Sequence, residues 1–418
     1  MNSVRQAHEI TGPYTPDHNR MLVLLGPAFV AAVAYVDPGN VAANITAGAK
    51  YGFLLVWVLV LANAMAVFIQ YQSAKLGLVT GHSLPEVLGT RLKKPARLSF
   101  WIQAELVAAA TDLAEVVGGA IALQLLFDLP LLAGAVITGV VSIVLLAFQA
   151  RGLQHVFERV IIGLLLVISI GFLTGLVVDP PVPAEVAEGL IPRFDGAETV
   201  LLAASMLGAT VMPHAIYLHS SLVKHRFGHA DDARLPRLLR ASKFDVTWAL
   251  VIAGLVNIGL LVLAANSLYG VEGTDTIEGA HAAVVANLGD AVGVVFGLGL
   301  LASGLASTSV GSYAGSEIMD GLLHVQVPLL TRRVVTLIPA LIIVGLGIEP
   351  TLALVWSQAL LSVGIPFAIV PLFLATGSRK VMGKYADGTA VKALAFIIAA
   401  LVIVLNIALL VLTAMGIG

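Results

Sequence analysis

Two short polar clusters interrupt otherwise apolar stretches of the chain: Asp37-Pro38-Gly39-Asn40 and Met212-Pro213-His214. A carboxylate, an amide, a thioether and an imidazole set at membrane depth beside unwound backbone make a cation site, and the pairing of hard oxygen with soft sulfur favours a transition metal. Asp37 carries the most weight, because a carboxylate at the centre of a span is costly unless it is paired, protonated or bound to a cation. Pro38 withholds a backbone donor and Gly39 permits positive φ. Carbonyls such as that of Ala34 are thereby released from helical bonding and left to face an ion, and Asn40 adds a neutral oxygen. Pro213 does the same for the carbonyl around Ala209, and Met212 presents a polarisable thioether. Calcium and magnesium gain little from sulfur, whereas Mn(II), Fe(II), Co(II) and Cd(II) tolerate or prefer it.

His214 either ligates or titrates. A neutral imidazole is accommodated beside a divalent ion and an imidazolium repels it, which suits this residue to couple proton movement to metal binding. His219, on the cytoplasmic half of the same span, reads equally well as a partly hydrated histidine near the membrane edge. Glu105, Asp112 and Glu115 follow one another at intervals of seven and three residues and so fall on one face of a helix. Three acids on one stripe inside a membrane read as a proton path, with static pairing to Arg332 and Arg333 as the competing explanation. The two readings are compatible, since a proton wire often includes salt bridges.

The elements that position these residues are membrane helices. Of the residues 58% are hydrophobic and only 11% charged, and the mean hydropathy is +0.96. A crossing needs roughly 20 apolar residues, and such runs fill the chain with short polar breaks between them. They lie near 21–48, 52–76, 98–127, 130–149, 156–178, 198–223, 244–268, 291–321, 331–348, 351–375 and 390–416, which makes eleven spans. The fold class expected is all-α, a polytopic membrane protein with no room for a large soluble domain. The residues up to Arg20 lack the h-region and cleavage site of a signal peptide, so the first span is expected to stay in place. With the N-terminus cytoplasmic, the inner connections collect Arg91, Lys93, Lys94 and Arg97, then Arg151, then Lys224 to Arg240, then Arg332 and Arg333, then Arg379, Lys380 and Lys384. The outer ones are acidic, as the positive-inside rule requires, and an odd count puts the C-terminus outside.

The broken segments are the first and sixth spans, separated by five helices, so corresponding halves must be inverted. The expected organisation is one transmembrane transport domain over 1–418. It comprises a first inverted repeat at 21–178, a second at 198–375 and an additional eleventh helix at 390–416, with one bundle rocking against the other. Gly118, Gly119, Gly304, Gly311 and Gly315 would let helices approach closely at moving interfaces or serve as ordinary packing residues. The chain has no cysteine, which removes thiolate metal sites and iron–sulfur clusters.

These residues carry a resemblance. The pair Asp37-Pro38-Gly39-Asn40 and Met212-Pro213-His214 resembles the signature of the Nramp family of proton-coupled divalent metal transporters. Thr111-Asp112 with Glu115 is similar to that family's third span, and Ser307-Thr308 through Tyr313-Ala314-Gly315 resembles its eighth; coverage runs from about Asp17 to the end. The resemblance implies that Asp37, Asn40, Met212 and the carbonyls of Ala34 and Ala209 bind the ion, with Gln358 joining in one conformational state. It also implies that His214, Asp112, Glu115, Arg332 and Arg333, with Glu105 and His219 less closely placed, belong to the proton route. The implied activity is proton-coupled import of Mn2+ and Fe2+, also Cd2+ and Co2+, across the plasma (inner) membrane by alternating access. Metal and protons are transported ions, with no permanently bound cofactor. The partners implied are the lipid bilayer and the transported ions alone, with no nucleic acid, and the chain is expected to work as a monomer. The alternative is a sodium-coupled symporter of an organic solute with the same fold, against which Asp37 and Met212 both argue. A channel is a third class. An enzyme is not expected, because no nucleophile, base and orienting acid cluster in the spans.

Overall fold

Proline and glycine decide where the helices of this chain begin and end. The structure is a computed structural model that describes residues 26–228, 231–348 and 350–415. The start of the expected first span, the last residues after Met415 and the side chain of Gln358 lie outside the described residues. Every described element is helical, in agreement with the expected fold class. In chain order they are α1 (Pro27–Val33) and α2 (Pro38–Tyr51), which together form the first span, then α3 (Val56–Thr80), the short α4 (Leu84–Arg91), α5 (Lys94–Phe127), α6 (Leu131–Ala150) and α7 (Gln154–Val178). The second half holds α8 (Pro183–Glu188), α9 (Gly196–Thr210) and α10 (Pro213–Phe227), the last two being the halves of the sixth span. It continues with α11 (Leu235–Ser267), α12 (Ile277–Leu288), α13 (Asp290–Leu323), α14 (Leu329–Gly345), α15 (Pro350–Thr376), α16 (Arg379–Met382) and α17 (Thr389–Ala414).

Among the described residues eight helices are long and apolar enough to cross a membrane, or nine if one bent pair counts as a single span, against the eleven expected. The difference has identifiable sources. Counted by length, Pro38–Thr80 is one stretch of 43 residues, which at about 1.5 Å per residue is roughly twice the ~30 Å hydrocarbon core. Gly52 interrupts it with φ 59°, a left-handed conformation open to glycine. The ninth span, α14, has only 17 residues and carries two arginines, and the tenth, α15, enters the count through the stretch Leu360–Thr376, which meets Arg379–Tyr385 at 67°.

The usual soluble pattern is inverted at the rim. Apolar side chains such as Leu166, Ile170, Phe396 and Leu374 are exposed on the outside of the bundle, where lipid is the solvent. The centre is formed by α9 and α10, whose most apolar stretch is 83% buried, and by α5 at 78%, whereas that of α17 is 28% buried. Around this centre α5 packs along α13 and α15, α7 along α13, α2 along α11, and α10 along α3. Close approach depends on missing side chains. A Cβ on Gly304 would sit 2.7 Å from the Gly119 backbone nitrogen, and one on Gly118 would overlap the ring of Pro38. The glycines therefore allow α5 to press against both α13 and the break in the first span.

Candidate metal-ion site

The first span breaks because Pro38 has no N–H for the carbonyl of Ala34, four residues earlier. Helix α1 gives way to a single tight turn at Ala34–Val36, and Asp37, extended at φ −70°, ψ 166°, becomes the N-cap of α2. Its carboxylate accepts from the Asn40 backbone N–H at 3.0 Å and from Asn40 Nδ2 at 2.6 Å. The carbonyls next to the break are met by neighbouring helices. Asn257 Nδ2 on α11 donates to Tyr35 O at 2.6 Å, and Ser303 Oγ on α13 donates to Val36 O at 2.6 Å. Asn44 in turn donates to Asn257 Oδ1 at 2.9 Å. The sixth span breaks by the same logic. Pro213 cannot supply the carbonyl of Ala209, and Met212 stands at the N-cap position of α10 as Asp37 does in α2, but without a side-chain cap bond. The two breaks even share a pattern, Ala34-Tyr35-Val36-Asp37-Pro38 and Ala209-Thr210-Val211-Met212-Pro213, with a carboxylate and a thioether at the same place in each.

One side chain joins the two breaks. Asn40 Nδ2 donates to Ala209 O at 2.8 Å as well as to Asp37, and Thr210 Oγ1 lies 3.5 Å from Asn40 Oδ1 while donating to Met206 O at 2.7 Å. Asp37, Asn40, Met212, Ala34 and Ala209 are all buried in this region. Asp37 Oδ2 accepts no hydrogen bond from the described residues although it is buried. This is a donor set with one hard anionic oxygen unengaged, amide and carbonyl oxygens beside it, and a buried thioether. It fits a dehydrated divalent cation of borderline softness, delivered as cargo. No group of three or more His, Cys, Asp or Glu able to hold a metal occurs among the described residues. Gln358 belongs to α15 by its backbone.

The expected proton-route residues fall into separate groups. Asp112 on α5 is bound by Arg333 on α14, whose NH1 reaches both carboxylate oxygens at 2.5 Å. Thr308 Oγ1 on α13 donates to Asp112 Oδ1 at 2.8 Å, Arg333 NH2 donates to Thr308 at 3.0 Å, and Arg333 Nε donates to Ser142 Oγ on α6 at 2.7 Å. Four helices are thus tied around a guanidinium that is 0% exposed. Arg332 is a different pair, donating to Glu105 Oε1 at 2.5 Å and to Ser312 O at 3.3 Å. Glu115 lies within electrostatic reach of Asp112, Asp37 and Arg333. Neither of its oxygens makes a hydrogen bond to the described residues, and they pack against Gly311, where a Cβ would come within 2.8 Å. His214, in the first turn of α10, is likewise buried with both ring nitrogens unpartnered. His219 is not partly hydrated. It is buried, its Nδ1 is 2.8 Å from Gln70 Oε1, and Gln70 Nε2 donates to the Tyr35 hydroxyl at 2.7 Å. This chain of contacts leads back to the first break. Gln70, Tyr35, Asn257, Thr210 and Ser142 carry no motif of their own; the only signal that could have marked them is a polar group in the interior of an apolar span.

The fold and the site together define a polytopic membrane protein whose first and sixth helices are broken around a buried polar centre. Its described spans match the nucleobase-cation-symport-1 transporter Mhp1 at TM-score 0.58 and 15% identity, covering 93% of this chain and 91% of that one, which marks a shared fold. The chain belongs to the Nramp family: residues 28–412 match the family described as natural resistance-associated macrophage protein-like. It is 57% identical over 394 residues to the divalent metal cation transporter MntH of Mycobacterium tuberculosis, covering 94% of this chain and 92% of that one. A crystal structure of the Eremococcus coleocola manganese transporter in complex with an aromatic bis-isothiourea substituted compound superimposes at TM-score 0.87. The identity there is 31%, over 96% of this chain and 89% of that one.

Proposed function

We propose that the protein carries divalent transition-metal ions, Mn2+ and Fe2+ and also Cd2+ and Co2+, across the plasma membrane by alternating access, coupled to protons, and that it is a transporter rather than an enzyme. The observation that carries this reading is the bond by which Asn40, beside Asp37, ties the first break to the one before Met212. Asp37 and Met212 are each the residue before a helix-breaking proline, and both are buried. The names of the relatives, a divalent metal cation transporter and a manganese transporter, support the cargo class. A cation arriving at Asp37 Oδ2 and the Met212 sulfur competes with Asn40 Nδ2 for the oxygens of Asp37 and Ala209 to which that nitrogen donates, so binding and the relative placement of α2 and α9 are linked. Arg332 and Arg333 with Glu105, Asp112, Glu115, His214 and His219 form the proton route in this reading, and Gln358 is an additional ligand in one state.

The packing supports a five-plus-five inverted repeat followed by an eleventh helix. Exchanging spans one to five with six to ten turns the α2–α11 contact into α10–α3, and α5–α15 into α13–α7, all of which occur. The inward-negative membrane potential assists each positive charge by about 2.3 kcal/mol per 100 mV, which favours uptake. The sodium-coupled alternative has only the shared fold in its support. The test is a metal-uptake panel in proteoliposomes with an imposed pH gradient and an internal pH dye. Asp37→Ala should abolish uptake of Mn2+ and Cd2+ together with the accompanying acidification, and wild-type rates in that variant would refute the assignment. Met212→Ala should admit Ca2+ better while weakening Cd2+; unchanged selectivity would reject the role given to sulfur.

A further inference from the structure

Helix α15 contains two prolines, and each strips one carbonyl of its own helix of the donor four residues on: Pro366 does this to Ser362 and Pro371 to Phe367. In lipid, a carbonyl so released must find a partner elsewhere in the protein. Both do, from different directions. Asn406 Nδ2 on α17 donates to Ser362 O at 2.9 Å, and the Tyr217 hydroxyl on α10 donates to Phe367 O at 3.0 Å. Asn406 is 3% exposed and Tyr217 2%. Tyr217 lies five residues after Met212 on the half-helix that the metal-site break creates. The other half, α9, closes on the upper grip, since a Cβ on Gly208 would sit 2.9 Å from Ser362 Oγ and 3.9 Å from Asn406 Oδ1.

We propose that Asn406 and Tyr217 are positioning residues that hold α15 at its two proline sites, so that α10 moves the segment at Pro371 and α17 anchors the segment at Pro366. Helix α17 is then part of the transport machinery, in contrast to a peripheral addition. Gln358 lies one turn before Ser362, on the segment that Asn406 holds, so the position of that backbone depends on the last helix of the chain. The inference rests on the transport reading and adds to it a route by which movement of the sixth span reaches the tenth.

The genetic test restores the missing donor. Pro366→Ala returns an N–H to the Ser362 carbonyl, which removes the only task assigned to Asn406. Asn406→Ala should lower maximal Mn2+ uptake by about tenfold while leaving the equilibrium affinity for Cd2+ nearly unchanged. The double variant Asn406→Ala/Pro366→Ala should be no slower than Pro366→Ala alone. The same pattern is expected for Tyr217→Phe, which deletes only a hydroxyl, with Pro371→Ala. Wild-type uptake by Asn406→Ala and Tyr217→Phe, or losses that multiply in the double variants, would overturn the proposal. Because the chain has no cysteine, spin labels can be placed through Leu374→Cys and Phe396→Cys on the exposed faces of α15 and α17. Their distance distribution should shift in Asn406→Ala, and an unchanged distribution would also overturn it. This readout needs no transport, so a wild-type protein that moves no metal would defeat the transport reading and leave the hinge measurement standing.

Discussion

Replacing Arg333 by methionine removes the guanidinium that binds both oxygens of Asp112 at 2.5 Å and also donates to Thr308 and Ser142. Methionine has similar length and no charge, so the packing loss is small and the electrostatic loss dominates. Asp112 would keep one neutral donor, Thr308 at 2.8 Å, and would be an uncompensated charge in a site where the carboxylate is 3% exposed and the arginine 0%. Breaking such a pair from one side costs about 3–5 kcal/mol, whereas replacing both partners by apolar groups of similar volume is close to neutral. Arg333→Met should therefore destabilise the protein by about 3–5 kcal/mol, Asp112→Leu by a comparable amount, and the double variant by about 1 kcal/mol or less. Denaturant-induced unfolding in mild detergent micelles measures all three against the wild type, and the coupling expected from the cycle exceeds about 2 kcal/mol. Additive losses, with coupling within roughly 0.5 kcal/mol, would refute the view that these two charges exist as a buried unit.

Three further outcomes follow from particular contacts. Asn40→Ala removes the one side chain bonded to both Asp37 and Ala209; Mn2+ affinity by calorimetry should fall about 10–100-fold, and unchanged affinity would separate Asn40 from the site. Gly118→Leu places atoms where the Pro38 ring sits, so uptake should be lost while Gly163→Leu, at a glycine with nothing within 4 Å, keeps it. Burial pushes the Glu86 carboxyl up, but the Lys224 ammonium at 2.5 Å and the Ser83 N–H outweigh it and hold the group below its ordinary 4.5. A carboxyl lowered by folding contributes stability above its unfolded value and loses it as pH falls through the folded one. The melting-temperature advantage of wild type over Glu86→Gln should be full at pH 7 and vanish well below pH 4.5; a difference independent of pH would remove the link between α4 and α10.

Much of this site is legible in the chain because its parts are local. Asp37, Pro38 and Asn40 make an N-cap within four residues, and Met212 with Pro213 needs no distant partner to break a helix. The matched pattern from Ala34 to Pro38 and from Ala209 to Pro213 is a signal of the same local kind. His219 is different: next to apolar residues in sequence it reads as an edge histidine, and only the approach of α3 supplies Gln70 and the path to Tyr35. The count of crossings also depends on more than hydropathy, since a length rule merges α2 with α3 while Gly52 separates them. Asn406 belongs to no motif, and only the approach of α15 brings it the Ser362 carbonyl.

By itself the sequence determined that the chain lives in a bilayer, which residues break its helices, and which chemical types stand at the breaks, because hydropathy and the missing N–H of proline are properties of neighbouring residues. Tertiary structure decided who meets the groups those breaks release. Asn40 reaches Ala209 across 169 positions, Arg333 reaches Asp112 across 221, and Asn406 reaches Ser362 across 44. Buried polar groups in lipid must be satisfied within the protein, yet any of several polar residues could satisfy a given carbonyl or carboxylate. Only the packing of helices, set by glycines that let backbones touch, selects among them.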